Sequence, residues 1–186
     1  MLLTHAIHSH DILTYLMGPI ASVYARTATR VNPIEVEDCA VASLEMASGA
    51  LASLAATLGS QDEISRLRLC FEHVTFESSL GPYRPGDDPW QIIPSSPEAE
   101  AHFAAALRDW QFVPSRFEGL FAQYWTALET GTALPVTLAD ARRSLELITA
   151  LFHSAETGTP VSLPIGPDHP KYRSWRPASQ RLGTTR

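Results

Sequence analysis

The chain has 186 residues, 45% of them hydrophobic and 18% charged, with a net charge of -6 and a pI near 5.6. That is enough apolar material for one domain of ordinary size, and the acidic balance argues against a nucleic-acid or anionic-membrane partner, either of which wants a basic patch. No apolar run approaches the roughly 20 residues of a membrane span, and the first residues, Met1-Leu2-Leu3-Thr4, lack the basic and apolar regions of a signal sequence. A cytoplasmic protein is expected.

In chain order, the first element is "THAIHSHDILTYLMG", residues 4–18. Apolar residues at Ile7, Ile12, Leu13, Leu16 and Met17 suit a helix, and Gly18-Pro19 stops it. "SVYARTATRV" (22–31) is β-branched and alternating and reads as a strand. "DCAVASLEMASGALASLAATLGS" (38–60) holds two alternating runs about Ser48-Gly49, the signature of a hairpin. Cys39 and Cys70 lie in apolar runs and are expected to be buried free thiols, too few for a disulfide framework or a cysteine zinc site. Glu37-Asp38 is either the solvated start of its strand or the border of a pocket.

"SRLRLCFEHVTFES" (65–78) alternates again, with Leu67, Leu69 and Phe71 on one side. A long loop (80–97) follows, carrying Asp87, Asp88 and a short strand at Trp90 to Ile93. The period then changes to helical. "SPEAEAHFAAALRDW" (96–110) has a serine-acid start, "SRFEGLFAQYWTALETG" (115–131) ends at glycine, and "TLADARRSLELITALFHSAETG" (137–158) runs from Thr137 as N-cap to Gly158. Arg142 is placed to pair with Glu146. Trp110, Trp125 and Trp175 are assigned to packing, the last as a pin for the C-terminus. Domain boundaries are set at 1–175, with 176–186 a disordered tail.

Helix, then strands, then helices predicts an α+β fold: a largely antiparallel or mixed β-sheet with helices on one face. The other face, read as small and mild (Ala40, Ala42, Ser43, Ala50, Ala52, Ser53), is left for dimerisation.

The chemistry concentrates at the front. On a helix His5, His8 and Asp11 share a stripe with Tyr15 near it, while His10 points elsewhere. Asp11 is placed to accept a hydrogen bond from His8, fixing its tautomer and preparing it for proton transfer near neutral pH. A structural histidine pair without chemistry is the bland alternative. A metal site is a third reading, weakened because His73, His102, His153 and His169 are isolated and offer no second ligand cluster; no metal is expected. Trp90 is a candidate for stacking on a sugar-like substrate, with loop anchoring as its alternative.

The segment "HAIHSHDILTYLMGPIASVYA" resembles the opening of the C-terminal domain of the Gfo/Idh/MocA family of NAD(P)-dependent oxidoreductases. That family shows a histidine, an aspartate three residues on and a glycine seven beyond it, the register of His8, Asp11 and Gly18. "VEDCAVASLEMASGALASLAAT" resembles the family's strand pair. "FEGLFAQYWTALETGTALPVTLADARRSLELITALFHSAETGTPVSLPI" resembles its closing helices, so the resemblance spans roughly residues 4 to 175. It implies a substrate-side acid/base histidine at His8, supported by Asp11, with His5, Tyr15 and Trp90 as substrate-binding candidates. It implies NAD or NADP as cofactor and a sugar, polyol or related hydroxy compound as substrate.

Many family members carry an aspartate four residues before the histidine; here that place is Thr4. None of the ten glycines forms a G-x-G-x-x-G turn, and no E-K-P lysine is present, the single lysine being Lys171. No cofactor-binding residue is therefore expected in this chain, whose partners would be a small-molecule substrate, a second copy through the sheet face, and a separate Rossmann-domain half. The alternative is a catalytically inactive, stand-alone binding or dimerisation module derived from the same family.

Overall fold

The computed structural model describes residues 1–87, 89–114 and 116–173; Asp88, Trp175 and the tail 176–186 lie outside the described residues. Two compact units emerge, one of residues 1–62 with the chain from Ala141 onward, the other Glu63–Asp140. An α+β fold is what the described residues form, with every strand pairing antiparallel. The strands make two sheets where the sequence suggested one.

The first unit starts with a wide helical turn of π type, Leu2–Ala6, running into α1, Ile7–Met17. Gly18 ends it at φ +83°, a conformation that only glycine adopts freely, and returns its amide to the Thr14 carbonyl at 3.0 Å. Then come β1 (Ile20–Ala28), β2 (Cys39–Met46) and β3 (Leu51–Thr57). β2 and β3 form the expected hairpin, Leu44 opposite Ala52, with Gly49 at φ +85° in its turn. The spatial order is β3-β2-β1-β7, where β7 is only Val161–Ser162 and lies beside Val23 and Ser22.

Strand parity decides which side chains enter the interior. Ile20, Val23 and Ala25 of β1 and Ala40, Ala42, Leu44 and Met46 of β2 are buried. Ala40 and Ala42, at 5% and 8% exposure, therefore stand on the covered face and not on the open one. The open face instead carries Ser22, Tyr24 and Arg26 of β1, Val41, Ser43 and Glu45 of β2, and Leu51, Ser53 and Ala55 of β3. Cys39 is half-exposed on that same face, within 3.4 Å of the Thr57 hydroxyl, so it is no buried thiol.

α4 (Leu138–Thr157) closes this unit with Leu147, Ile148, Ala150, Leu151 and Ser154 buried. The Ser154 hydroxyl accepts the Ala25 amide at 2.9 Å and donates to the Thr159 carbonyl at 2.7 Å. A single buried hydroxyl thus satisfies a strand amide and a loop carbonyl that would otherwise be costly inside. At the start of α4, Thr137 and Asp140 cap each other reciprocally, the Thr137 amide reaching Asp140 Oδ2 at 2.7 Å. Arg142 pairs with Glu146 as the spacing implied, at 2.7 Å.

Glu37 is part-buried and Asp38 buried, so neither is a solvated strand entry. Asp38 is fully buried and its carboxylate accepts the amides of Arg30, Val31 and Asn32 at 2.7–2.8 Å. These bonds, led by that from Asn32, hold its carboxyl well below the usual range despite burial. Glu37 Oε1 accepts the Met1 and Leu2 nitrogens at 2.9 and 2.8 Å, fixing the start of the first helix.

The second unit holds β4 (Arg68–Cys70), β5 (Val74–Glu77), β6 (Gln91–Pro94), α2 (Pro97–Leu107) and α3 (Arg116–Thr130). Its sheet order is β4-β5-β6. Ser96 caps α2 through the Ala99 amide at 3.2 Å. Leu69, Val74 and Ala127 are buried, and Phe76 meets Phe103 of α2 edge-on at 5.6 Å. Leu69 points inward from β4, so its neighbour Cys70 is exposed. Trp110 and Trp125, assigned to packing, are exposed too, Trp125 by 64%.

Candidate functional site

The first helix presents two faces of opposite character. Leu2, Ala6, His10 and Leu13 enter the interior, while Thr4, His8, Asp11 and Tyr15 are exposed, Tyr15 by 88%. Both sets advance by three or four residues, the spacing of one helical stripe. The histidines are consequently not equivalent.

His8 stands on the exposed stripe between Thr4 and Asp11. His5 is half-buried beside Thr4. Its Nδ1 lies 2.6 Å from the Thr4 hydroxyl. His10 is 2% exposed with both ring nitrogens buried and without a hydrogen-bond partner. Desolvation pushes its pKa down to about 4, so it is neutral at physiological pH.

No hydrogen bond joins His8 to Asp11. The Asp11 carboxylate instead accepts a short hydrogen bond from the Ser144 hydroxyl of α4. Asp11 therefore ties α1 to α4, a role that sequence spacing within one helix cannot reveal. The Thr14 hydroxyl closes the same helix internally on the His10 and Asp11 carbonyls, both at 3.1 Å.

The remaining candidates are dispersed. Tyr15 lies on the His8 stripe. Trp90 belongs to the second unit, where its indole N–H donates to the Gly86 carbonyl at 3.4 Å, the loop-anchoring role. Asp87 in the same loop pairs with Arg116 at 2.6 Å. The second unit also holds an open cavity of about 320 Å³ lined by Ala122, Gln123, Thr126, Ala127, Thr132 and Pro135. Its lining has no ionisable group and thus no acid-base chemistry. Among the described residues there is no cluster of three or more His, Cys, Asp or Glu side chains arranged to hold a metal ion, and no helix is long and apolar enough to cross a membrane.

Residues 1–77, which include α1 and the β2–β3 hairpin, match the family model of the GFO/IDH/MocA C-terminal domain. The Gfo/Idh/MocA resemblance thus holds in sequence over those residues and in fold over most of the chain.

Among solved structures, the WlbA dehydrogenase from Bordetella pertussis, in complex with NADH and UDP-GlcNAcA, is similar at TM-score 0.65 and 25% identity, over 87% of this chain and 44% of its own. The WlbA dehydrogenase from Chromobacterium violaceum, with the same two ligands, is similar at 0.64 and 29%, over 87% and 45%. An oxidoreductase from Agrobacterium radiobacter in complex with NAD+, L-tartaric acid and magnesium is similar at 0.59 and 27%, over 84% and 47%. The chain spans about half the length of these structures. No curated protein matches it significantly.

Proposed function

We propose that this chain is the substrate-facing and self-associating half of a nicotinamide-dependent oxidoreductase acting on a sugar, polyol or related hydroxy compound. The observation that carries this reading is the exposed His8, borne on a helix whose opposite face is locked into the interior. An imidazole so placed can give or take a proton at a substrate hydroxyl while the packed helix behind it fixes its position. Asp11, bonded to Ser144, secures the helix and does not act on the ring.

A dinucleotide needs backbone amides at a glycine-rich turn between a strand and a helix. The described residues do not fit it. The one direct strand-to-helix passage, β6 to α2, runs through Ser95-Ser96 without glycine, and the Ser96 hydroxyl already occupies the Ala99 amide there. Hydride chemistry would be supplied by NAD or NADP held elsewhere, in a Rossmann half.

The open sheet face supplies the self-association. Val41, Leu51 and Ala55 give it apolar area, with Ser43, Ser53, Glu45 and Arg26 around them. Sedimentation at micromolar concentration should find a dimer, and a monomer would overturn this part.

For the site itself, calorimetry should compare the wild-type chain with His8→Ala, using UDP-GlcNAcA and L-tartaric acid as probes. Binding of a probe should weaken at least about tenfold in His8→Ala while the melting temperature stays put. Micromolar binding of NADH by this chain alone would contradict the division of labour. The alternative is an inactive binding or dimerisation module, favoured by Thr4, whose hydroxyl engages His5 where many members carry a carboxylate. Probe binding indifferent to His8→Ala would select it.

A further inference from the structure

Beyond β7 the chain turns back onto the outer face of α4. Ile165 anchors the turn in the interior, and the His169 amide bonds the Gly166 carbonyl at 3.0 Å. Three side chains of this segment then meet α4. The His169 ring lies edge-on to that of His153, centroids 4.7 Å apart. Lys171 Nζ pairs with Glu156 at 2.8 Å, and the Tyr172 ring lies 5.7 Å from the Arg142 guanidinium carbon. Arg142, Glu146, His153 and Glu156 share one stripe of α4, so residues 166–173 form a strap along it. His153 and His169, which looked isolated in the sequence, are thus in contact.

We propose that this strap is a proton-sensitive latch, closed while His169 is neutral and released when it charges. His169 Nδ1 accepts the Lys171 amide at 3.1 Å, which requires that nitrogen to be unprotonated. A proton added there would set one N–H against another and break the turn that carries Lys171. Beside it, His153 Nδ1 is buried without a hydrogen-bond partner, so the contact offers an added charge no hydration.

The charged groups on the two elements leave little to compensate. Glu146 is engaged by Arg142 and Glu156 by Lys171; Asp168 and Arg173 are exposed, and the remaining cations, Lys171 and Arg142, repel an imidazolium. Burial, His153 and Lys171 together hold His169 below the ordinary imidazole range. The sign follows. The folded state prefers the neutral ring, so strap stability is complete above the ordinary histidine value and is lost as pH falls through and below it. This device is independent of the function proposed above.

Hydrogen exchange on the full chain, read on peptides covering residues 164–173 and normalised to intrinsic rates, tests the latch. His10→Leu serves as the background, so that titration of the buried His10 does not contribute. Protection should fall roughly tenfold between about pH 8 and about pH 5 in the chain with both histidines. His169→Phe, which keeps a ring at the contact and removes the titrating group, should lose less. Equal protection at both pH values overturns the latch. So does a loss that His169→Phe shows in full.

Discussion

The two units are built on different principles. The first buries a continuous interior: Leu2 and Leu13 from the front helix, Val23 and Leu44 from the sheet, Ile148 and Leu151 from α4. Its polar interior groups are also placed to matter, Asp38 on three amides and Ser154 between a strand and a loop. The second unit holds few buried apolar side chains, and α3 displays Phe117, Phe121, Trp125 and Leu128 to its surroundings. A stripe of aromatic residues at helical spacing therefore does not by itself mean a core. The difference separates the unit that positions His8 from the one that does not.

The largest expected effect breaks the first interior. Ile148, with no exposed surface, sits in the middle of α4, and Ile148→Ala should cost about 4 kcal/mol through lost contacts and the cavity left behind. Denaturant unfolding followed by circular dichroism measures it. The next effect comes from His10. Its folded pKa of about 4 lies below the ordinary 6.5, so the unfolded chain binds the proton more readily. Stability is complete above about pH 6.5 and falls as pH drops towards 4, by up to about 3 kcal/mol. Melting curves of wild type and His10→Leu should diverge across that window, the variant staying higher. The smallest effect sharpens the contrast from the other side. Phe121→Ser, at a side chain 66% exposed, should change stability by less than about 0.5 kcal/mol while reducing binding of a hydrophobic dye.

Elements with local chemistry were legible in the sequence. The Ser48-Gly49 turn, the Thr137 cap, the Gly18 stop and the Arg142–Glu146 pair each depend on residues within a turn or two of one another. The inner and outer faces of the hairpin were not legible, because alanine occupies both, Ala40, Ala42 and Ala52 inside and Ala55 outside, and Val41 and Leu51 on the outer face blur the polar contrast. β7 is two residues long and gains its strand character from β1, far away in the chain. The site was legible in part. The motif marked His8 as a candidate and the fold leaves it exposed, but the Asp11–Ser144 bond joins residues 133 apart, and the burial of His10 follows from the helix orientation, not from its neighbours.

Asp38 has a consequence for the loop that precedes it. The loop's path is dictated by one carboxylate outside its tip, while Pro33, Ile34, Glu35 and Val36 are all exposed. Shape and composition are thereby uncoupled. Changes at the four exposed tip positions should leave the backbone they ride on in place, whereas a shorter or neutral side chain at position 38 should leave three loop amides without their charged acceptor.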